Sequence, residues 1–135
     1  MLWRKPAALL DDVGRLIAGL QEVQPAQVEG VVRARTSGGE QHRITAFYAA
    51  MKGARASNRT PLYEAARKAK EGAWKATRGA GLDNWSFSYA AFEAALALGT
   101  RDLLKAEDYQ RLIAPMAVAM PWLLPTQSAE ELGRR

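Results

Sequence analysis

The side chains with most chemistry to offer lie between Pro61 and Arg78, in PLYEAARKAKEGAWKATR. At about 100° per residue, Tyr63, Arg67, Lys70, Trp74 and Arg78 fall in one band, with Lys68 and Lys75 flanking it. Cations interleaved with aromatic rings on an outward face suit phosphate contacts combined with base stacking or minor-groove insertion. The opposite side, from Leu62 through Ala65, Ala66, Ala69, Gly72, Ala73, Ala76 and Thr77, is small and lets another helix approach closely. The band is therefore the candidate nucleic-acid-binding set, for DNA or RNA. No acid–amide pattern suited to reading base edges accompanies it, so binding would be independent of sequence. A solvated face is the competing reading. Glu64 with Lys68, Glu71 with Lys75 and Arg67 with Glu71 are all i,i+4 pairs. Trp74 could also cover a neighbouring helix, beside the stems of the long cations.

Charge is distributed in the same sense. The formal net charge is +5, and residues 52–78 alone carry eight Lys/Arg against two Asp/Glu, between nearly neutral flanks. A basic segment of this kind points to an anionic partner or to a solvated helix.

Catalysis has little to work with. There are no cysteines, which removes disulfides, thiolate metal sites and a Cys nucleophile together. His42 is the single histidine, so no His-based metal cluster can form and any triad would hang on it. It follows Gly38-Gly39 between Glu40 and Arg43, where an exposed, idle imidazole is expected. The carboxylate pairs Asp11-Asp12, Glu107-Asp108 and Glu130-Glu131 are adjacent residues, which diverge on a helix instead of converging on a substrate. The first two lie near helix starts, where the helix dipole accounts for them. Ser37-Gly38-Gly39 is too short to cradle phosphate, and no GxxxxGK[ST] or GxGxxG occurs. The expectation is a non-enzymatic protein without catalytic residues, metal or cofactor.

A second candidate surface is Leu112 to Leu124, LIAPMAVAMPWLL. Met116, Met120 and Trp122 make an adaptable apolar patch of the kind found at contacts with a protein partner or in a homo-oligomer. It could equally be the last wall of the core. A subunit contact would require Met120 and Trp122 to be exposed in the isolated chain. The same stretch is the longest apolar run, and with its two prolines it falls short of the roughly 18 residues of a membrane span. The N-terminal MLWRKPAALLDDVGRL meets two Asp before a signal-peptide core could form. A cytoplasmic protein without membrane association is expected.

The positioning elements follow from apolar periodicity. Hydrophobic residues at 48% and charged ones at 24% are globular averages, so wholesale disorder is not expected. Trp85 to Leu104 reads as the central helix. Trp85, Tyr89, Phe92, Leu96 and Leu103 form one stripe, and Phe87, Ala91, Ala94 and Leu98 a second side. A helix apolar on more than one side must be surrounded, so Phe92 and Leu96 are expected to be almost fully buried. Pro6 to Val23 is a first helix, with Leu9, Val13, Leu16, Leu20 and Val23 at helical steps. Residues 28–47 admit two readings, a short helix ending at Ser37-Gly38-Gly39 or a β-hairpin pairing VVRART with EQHRIT. The helix is the better fit, because a lone hairpin in a helical chain has little to pair with. Ile44, Phe47, Tyr48 and Met51 recur at helical spacing up to about Ala56, opposite small residues Ala46, Ala49, Ala50 and Gly53. Thr60-Pro61 starts the 61–78 helix, Gly79 and Gly81 stop it, and Asp83 or Asn84 caps the central one. Glu107-Asp108 opens another, carrying Tyr109, Leu112 and Ile113 inward until Pro115 interrupts it, with a short piece to Leu123. The prediction is an all-α, irregular bundle of five or six helices, one domain over residues 1–124 with a frayed tail at 125–135.

The segment AAFEAALALGTRDLLKAEDYQRLIAPMAVAM resembles small Ala-rich helical proteins of unknown function from high-GC bacteria and their phages. The resemblance lies in an Ala-rich helix leading into Arg101-Asp102-Leu103, then an acidic start at Glu107-Asp108-Tyr109, then Leu112 and Pro115. It implies no activity.

Overall fold

The computed structural model describes residues 6–37, 39–78 and 84–124. Six helices run in order: α1 (Pro6–Leu20), α2 (Pro25–Ser37), α3 (Glu40–Ala56), α4 (Thr60–Thr77), α5 (Asn84–Gly99) and α6 (Ala106–Ala117). Single 3₁₀ turns follow α5 at Arg101–Leu103 and α6 at Pro121–Leu123. The architecture is all-α, and there is no strand among the described residues. The hairpin alternative for 28–47 does not occur. Val28 and Val31 are buried one helical turn apart on α2, and EQHRIT forms the first turns of α3.

α5 is the hub, packed against α1, α2, α3, α4 and α6. From Ala94 to Gly99 every residue is buried, so this part of the helix is covered on all sides. α1 presents Leu9, Val13, Leu16 and Leu20 to the core at steps of four, three and four, as the period requires. The two closest partners, α4 and α5, meet through small residues. Ala66, Ala69 and Ala73 of α4 are buried, as are Ala90, Ala91, Ala94, Ala95 and Ala97 of α5. A Cβ at Gly99 would fall onto the Leu62 side chain, so the two backbones approach there as near as side chains allow.

This packing corrects the expected burial of the central helix. Leu96 is fully buried, but Phe92 is only half-buried, Leu103 is exposed, and Trp85 at the head of the stripe is 59% exposed. The side that faces inward is the one with Phe87, Ala91, Ala94 and Leu98. Small side chains let backbones close up and recover dispersion contacts along their whole length. The bulky stripe is left at the edge. α3 repeats the pattern, burying Ala46, Ala50 and Ala54 while Ile44 and Tyr48 are exposed.

The α3–α4 turn is tied to the end of α5. Asn58 adopts φ 55°, a left-handed conformation that Asn tolerates. Beside it, Arg59 Nη1 donates to the Gly99 carbonyl at 2.8 Å, satisfying a helix-terminal acceptor. Its two terminal nitrogens also donate to the Asp102 carboxylate, both at 2.7 Å. The mutual hydrogen bond, opposed by desolvation and aided by charge attraction, holds the Asp102 carboxyl below its ordinary pKa and the Arg59 guanidinium above its own.

The C-terminal segment closes the core. Pro115 does not stop α6, which continues to Ala117; in the last turn it removes only one intrahelical bond. Met116, Met120 and Leu123 are buried, and the Met120 thioether lies against Gly19 of α1. The Tyr109 hydroxyl donates to the Leu123 carbonyl at 3.2 Å. Trp122 is half-buried, with the Arg15 guanidinium 4.0 Å from its ring centroid. Of the residues expected at a partner surface, Met116 and Met120 are buried against the core, as the core-wall reading of 112–124 has it, and Trp122 keeps part of its ring in solvent. No helix among the described residues is long and apolar enough to cross a membrane. The expected tail at 125–135 and the stop and cap signals at Gly79, Gly81 and Asp83 lie outside the described residues.

Candidate nucleic-acid interface

Four of the five band residues lie on α4 and the fifth, Arg78, is its C-cap, one residue beyond the helix expected to include it; they divide into two sets. Arg67 and Arg78 are exposed, and among the described residues neither is paired with a carboxylate. The Glu64–Lys68, Glu71–Lys75 and Arg67–Glu71 pairs are open among the described residues. Tyr63, Lys70 and Trp74 instead lean toward neighbouring helices. The Tyr63 hydroxyl donates weakly to the Met51 sulfur at 3.4 Å. Lys70 Nζ lies 4.4 Å from the Tyr89 ring centroid and 3.4 Å from its hydroxyl oxygen, a geometry in which the ring quadrupole attracts the ammonium. Trp74 is 41% exposed and meets Trp85 edge to face, centroids 6.5 Å apart. On the reverse side Leu62, Ala66, Ala69, Ala73 and Thr77 are buried, whereas Ala76 is exposed.

Those contacts join the band to a row of rings on α5 and α3 that sequence reasoning assigned elsewhere. Trp85 packs on Tyr89 with centroids 4.9 Å apart. Phe92, one turn further, meets Phe47 of α3 at 6.1 Å, and Phe47 meets Tyr48 at 5.8 Å. Tyr48 is 66% exposed. Beyond it, Phe47, Tyr48 and Met51 line a shallow groove of about 600 Å³ whose other walls are Lys52, Arg55 and Ala56. Trp85 and Phe92 are separated by about 10 Å along the helix axis at 1.5 Å per residue. The result is a face crossing three helices, with rings along its middle and Arg67, Lys70, Arg78, Lys52 and Arg55 around it.

Trp85, Tyr89, Phe47 and Tyr48 are the members that spacing did not assign to a site. The signal was present but ambiguous. On α5 and α3 a bulky side lies opposite a small one, and large rings ordinarily mark the inside. A small side facing an alanine-rich partner was the cue for the opposite choice.

Such a face offers flat apolar surface for stacking and fixed cations for phosphates. His42 is exposed on α3 away from the rings, and no group of three or more His, Asp or Glu residues that could hold a metal occurs among the described residues. Compared with known proteins, the chain matches no family model, no curated protein and no solved structure.

Proposed function

We propose that this protein is a non-enzymatic nucleic-acid-binding protein that engages the backbone without reading sequence and prefers single strands. The observation that carries the reading is the coincidence of exposed Trp74, Trp85 and Tyr48 with the guanidiniums of Arg67 and Arg78, which no carboxylate among the described residues pairs, on one face. Exposed rings of this size are costly to leave in water, and an unstacked base covers them at little conformational cost. In a duplex the bases are already stacked, so the rings would gain less there. A chain without cysteine that meets nucleic acid fits a cytoplasmic location.

The test is fluorescence anisotropy with a labelled single-stranded oligonucleotide and its duplex over a range of salt concentrations. Binding should weaken with salt, and Arg67→Ala with Arg78→Ala should lower the single-strand slope by about 0.7 per lost contact. Trp74→Ala should cost about 1–3 kcal/mol in single-strand affinity with little change in slope. The absence of binding at low salt would sink the reading. Should gel filtration show a dimer that Trp85→Asp dissociates and nucleic acid does not compete with, the face is a subunit contact instead. That outcome would preserve the self-assembly alternative but move it from residues 112–124 to this face.

A further inference from the structure

A pocket of about 200 Å³ lies where the α2–α3 corner meets α6. Arg35 of α2, His42 and Arg43 of α3 and Arg111 of α6 reach its wall, over a floor of Ala114 and Pro115. Behind Arg35 and Arg43 sits Glu93, in the middle of α5 and only 6% exposed. Arg35 Nε lies 3.3 Å from one of its oxygens and Arg43 Nε 3.5 Å from the other.

Two features make this more than a buried ion pair. Two largely covered guanidiniums face a single carboxylate, which leaves one positive charge uncompensated at a site poorly reached by water. The hydrogen bonding is also incomplete. Arg43 Nη1 donates to the Arg35 carbonyl at 3.3 Å, but its buried Nε has no hydrogen-bond partner, the 3.5 Å approach to Glu93 being attraction without a bond. Arg111 adds a third guanidinium, and its own carboxylate, Asp108, stands 3.8 Å away in a loose i,i+3 pair. Such pairs at the surface hold weakly, so Arg111 can turn to a better acceptor. Arginines from three helices thus line one small concavity. Their planar forks match tetrahedral oxyanions better than halide ions.

We infer that this pocket binds a phosphate group, either as inorganic phosphate or as the terminal phosphate of a small phosphorylated molecule. The inference does not rest on the nucleic-acid reading, because none of its residues is a ring of the aromatic face or a member of the α4 band; Arg35 alone touches that face, its guanidinium 5.9 Å from the Tyr89 ring centroid. The pocket takes the anion end-on: Arg111 turns from Asp108 to donate, while Glu93 fixes Arg35 and Arg43 in position and their surplus charge attracts the anion.

The experiment follows thermal unfolding and the arginine Nε–H NMR resonances of the full chain during a titration with sodium phosphate at constant ionic strength, chloride balancing. A saturable rise in Tm and a saturable shift of the Arg43 Nε–H resonance are expected. Arg111→Ala, an exposed change that leaves the Glu93 pairs intact, should weaken phosphate roughly tenfold. Arg67→Ala should leave it unchanged. Glu93→Gln, if folded, should tighten phosphate by removing the opposing charge, a sign that a merely structural carboxylate would not produce; if it does not fold, Arg111→Ala decides alone. A second titration with adenosine 5′-monophosphate separates the two sources: tighter binding than inorganic phosphate assigns the pocket to a phosphorylated molecule, and equal binding to the free ion. Linear response to phosphate, or the same response in Arg111→Ala, would overturn the inference.

Discussion

α4 and α5 each present two surfaces of opposite character, and the contrast between them organises the molecule. In the buried part of their interface the two helices meet through alanines, Gly99 and one leucine, Leu62, fully buried. Where they face outward they carry Trp74, Trp85, Tyr89 and Phe92, none fully buried. Area bookkeeping alone would favour the reverse, since an indole buries far more apolar surface than a methyl group. Close backbone approach is what the small side gains. It lets Phe87, Leu96 and Leu98 reach the remaining walls of the core, and a large ring between α4 and α5 would push those walls apart. What the contrast teaches is that ring size does not mark the inside when a neighbouring helix offers a row of alanines.

The contrast is most easily broken by truncating rings on its two sides. Phe87→Ala should cost about 3–5 kcal/mol in urea denaturation, as deletion of a fully enclosed ring does. Trp85→Ala, two residues away, should stay within roughly 1 kcal/mol of the parent. Similar losses at the two positions would show that the outward rings also carry the fold. A sharper probe is Gly99→Ala. Helix propensity alone would favour alanine by about 1 kcal/mol, yet the added methyl meets Leu62 and should produce a net loss of about 1–3 kcal/mol. Adding Leu62→Ala should recover part of that loss in a double-mutant cycle, and strict additivity would mean the two residues do not touch.

The smallest effect concerns the polar tie at the edge of the interface, Arg59 with Asp102. Because the folded-state pKa of Asp102 lies below its unfolded value, its stabilisation is complete above the unfolded pKa and disappears as pH falls through the folded one. Arg59 stays protonated throughout and adds no slope in that range. Asp102→Asn should therefore lower stability by about 1 kcal/mol at neutral pH, with the gap to the parent closing in acid below about pH 4. A gap of the same size at pH 3 would assign the loss to packing instead of the ion pair.

Much of this was open to inspection before folding was considered. Pro61 placed the start of α4 within a residue, since the proline signal is local, although Arg59 and not Thr60 is the N-cap; the outward position of Arg67 and Arg78 followed from the alanines opposite. The site was only half legible for a related reason. Periodicity identifies the sides of a helix, and on α5 two sides were apolar, so nothing within residues 84–99 could rank Phe92 against Phe87.

What the sequence by itself determined, then, is the helical class, the break before Thr60-Pro61 and which residues of α4 share a side, all properties of residues within a turn or two of one another. Only the tertiary structure decided which side of α3 and α5 faces inward, that Met116 and Met120 close the core, and that Arg35 and Arg43 meet Glu93. Those outcomes depend on the surfaces that distant segments present. Contact between Arg35 and Glu93 spans 58 positions, and no local spacing rule reaches across that separation.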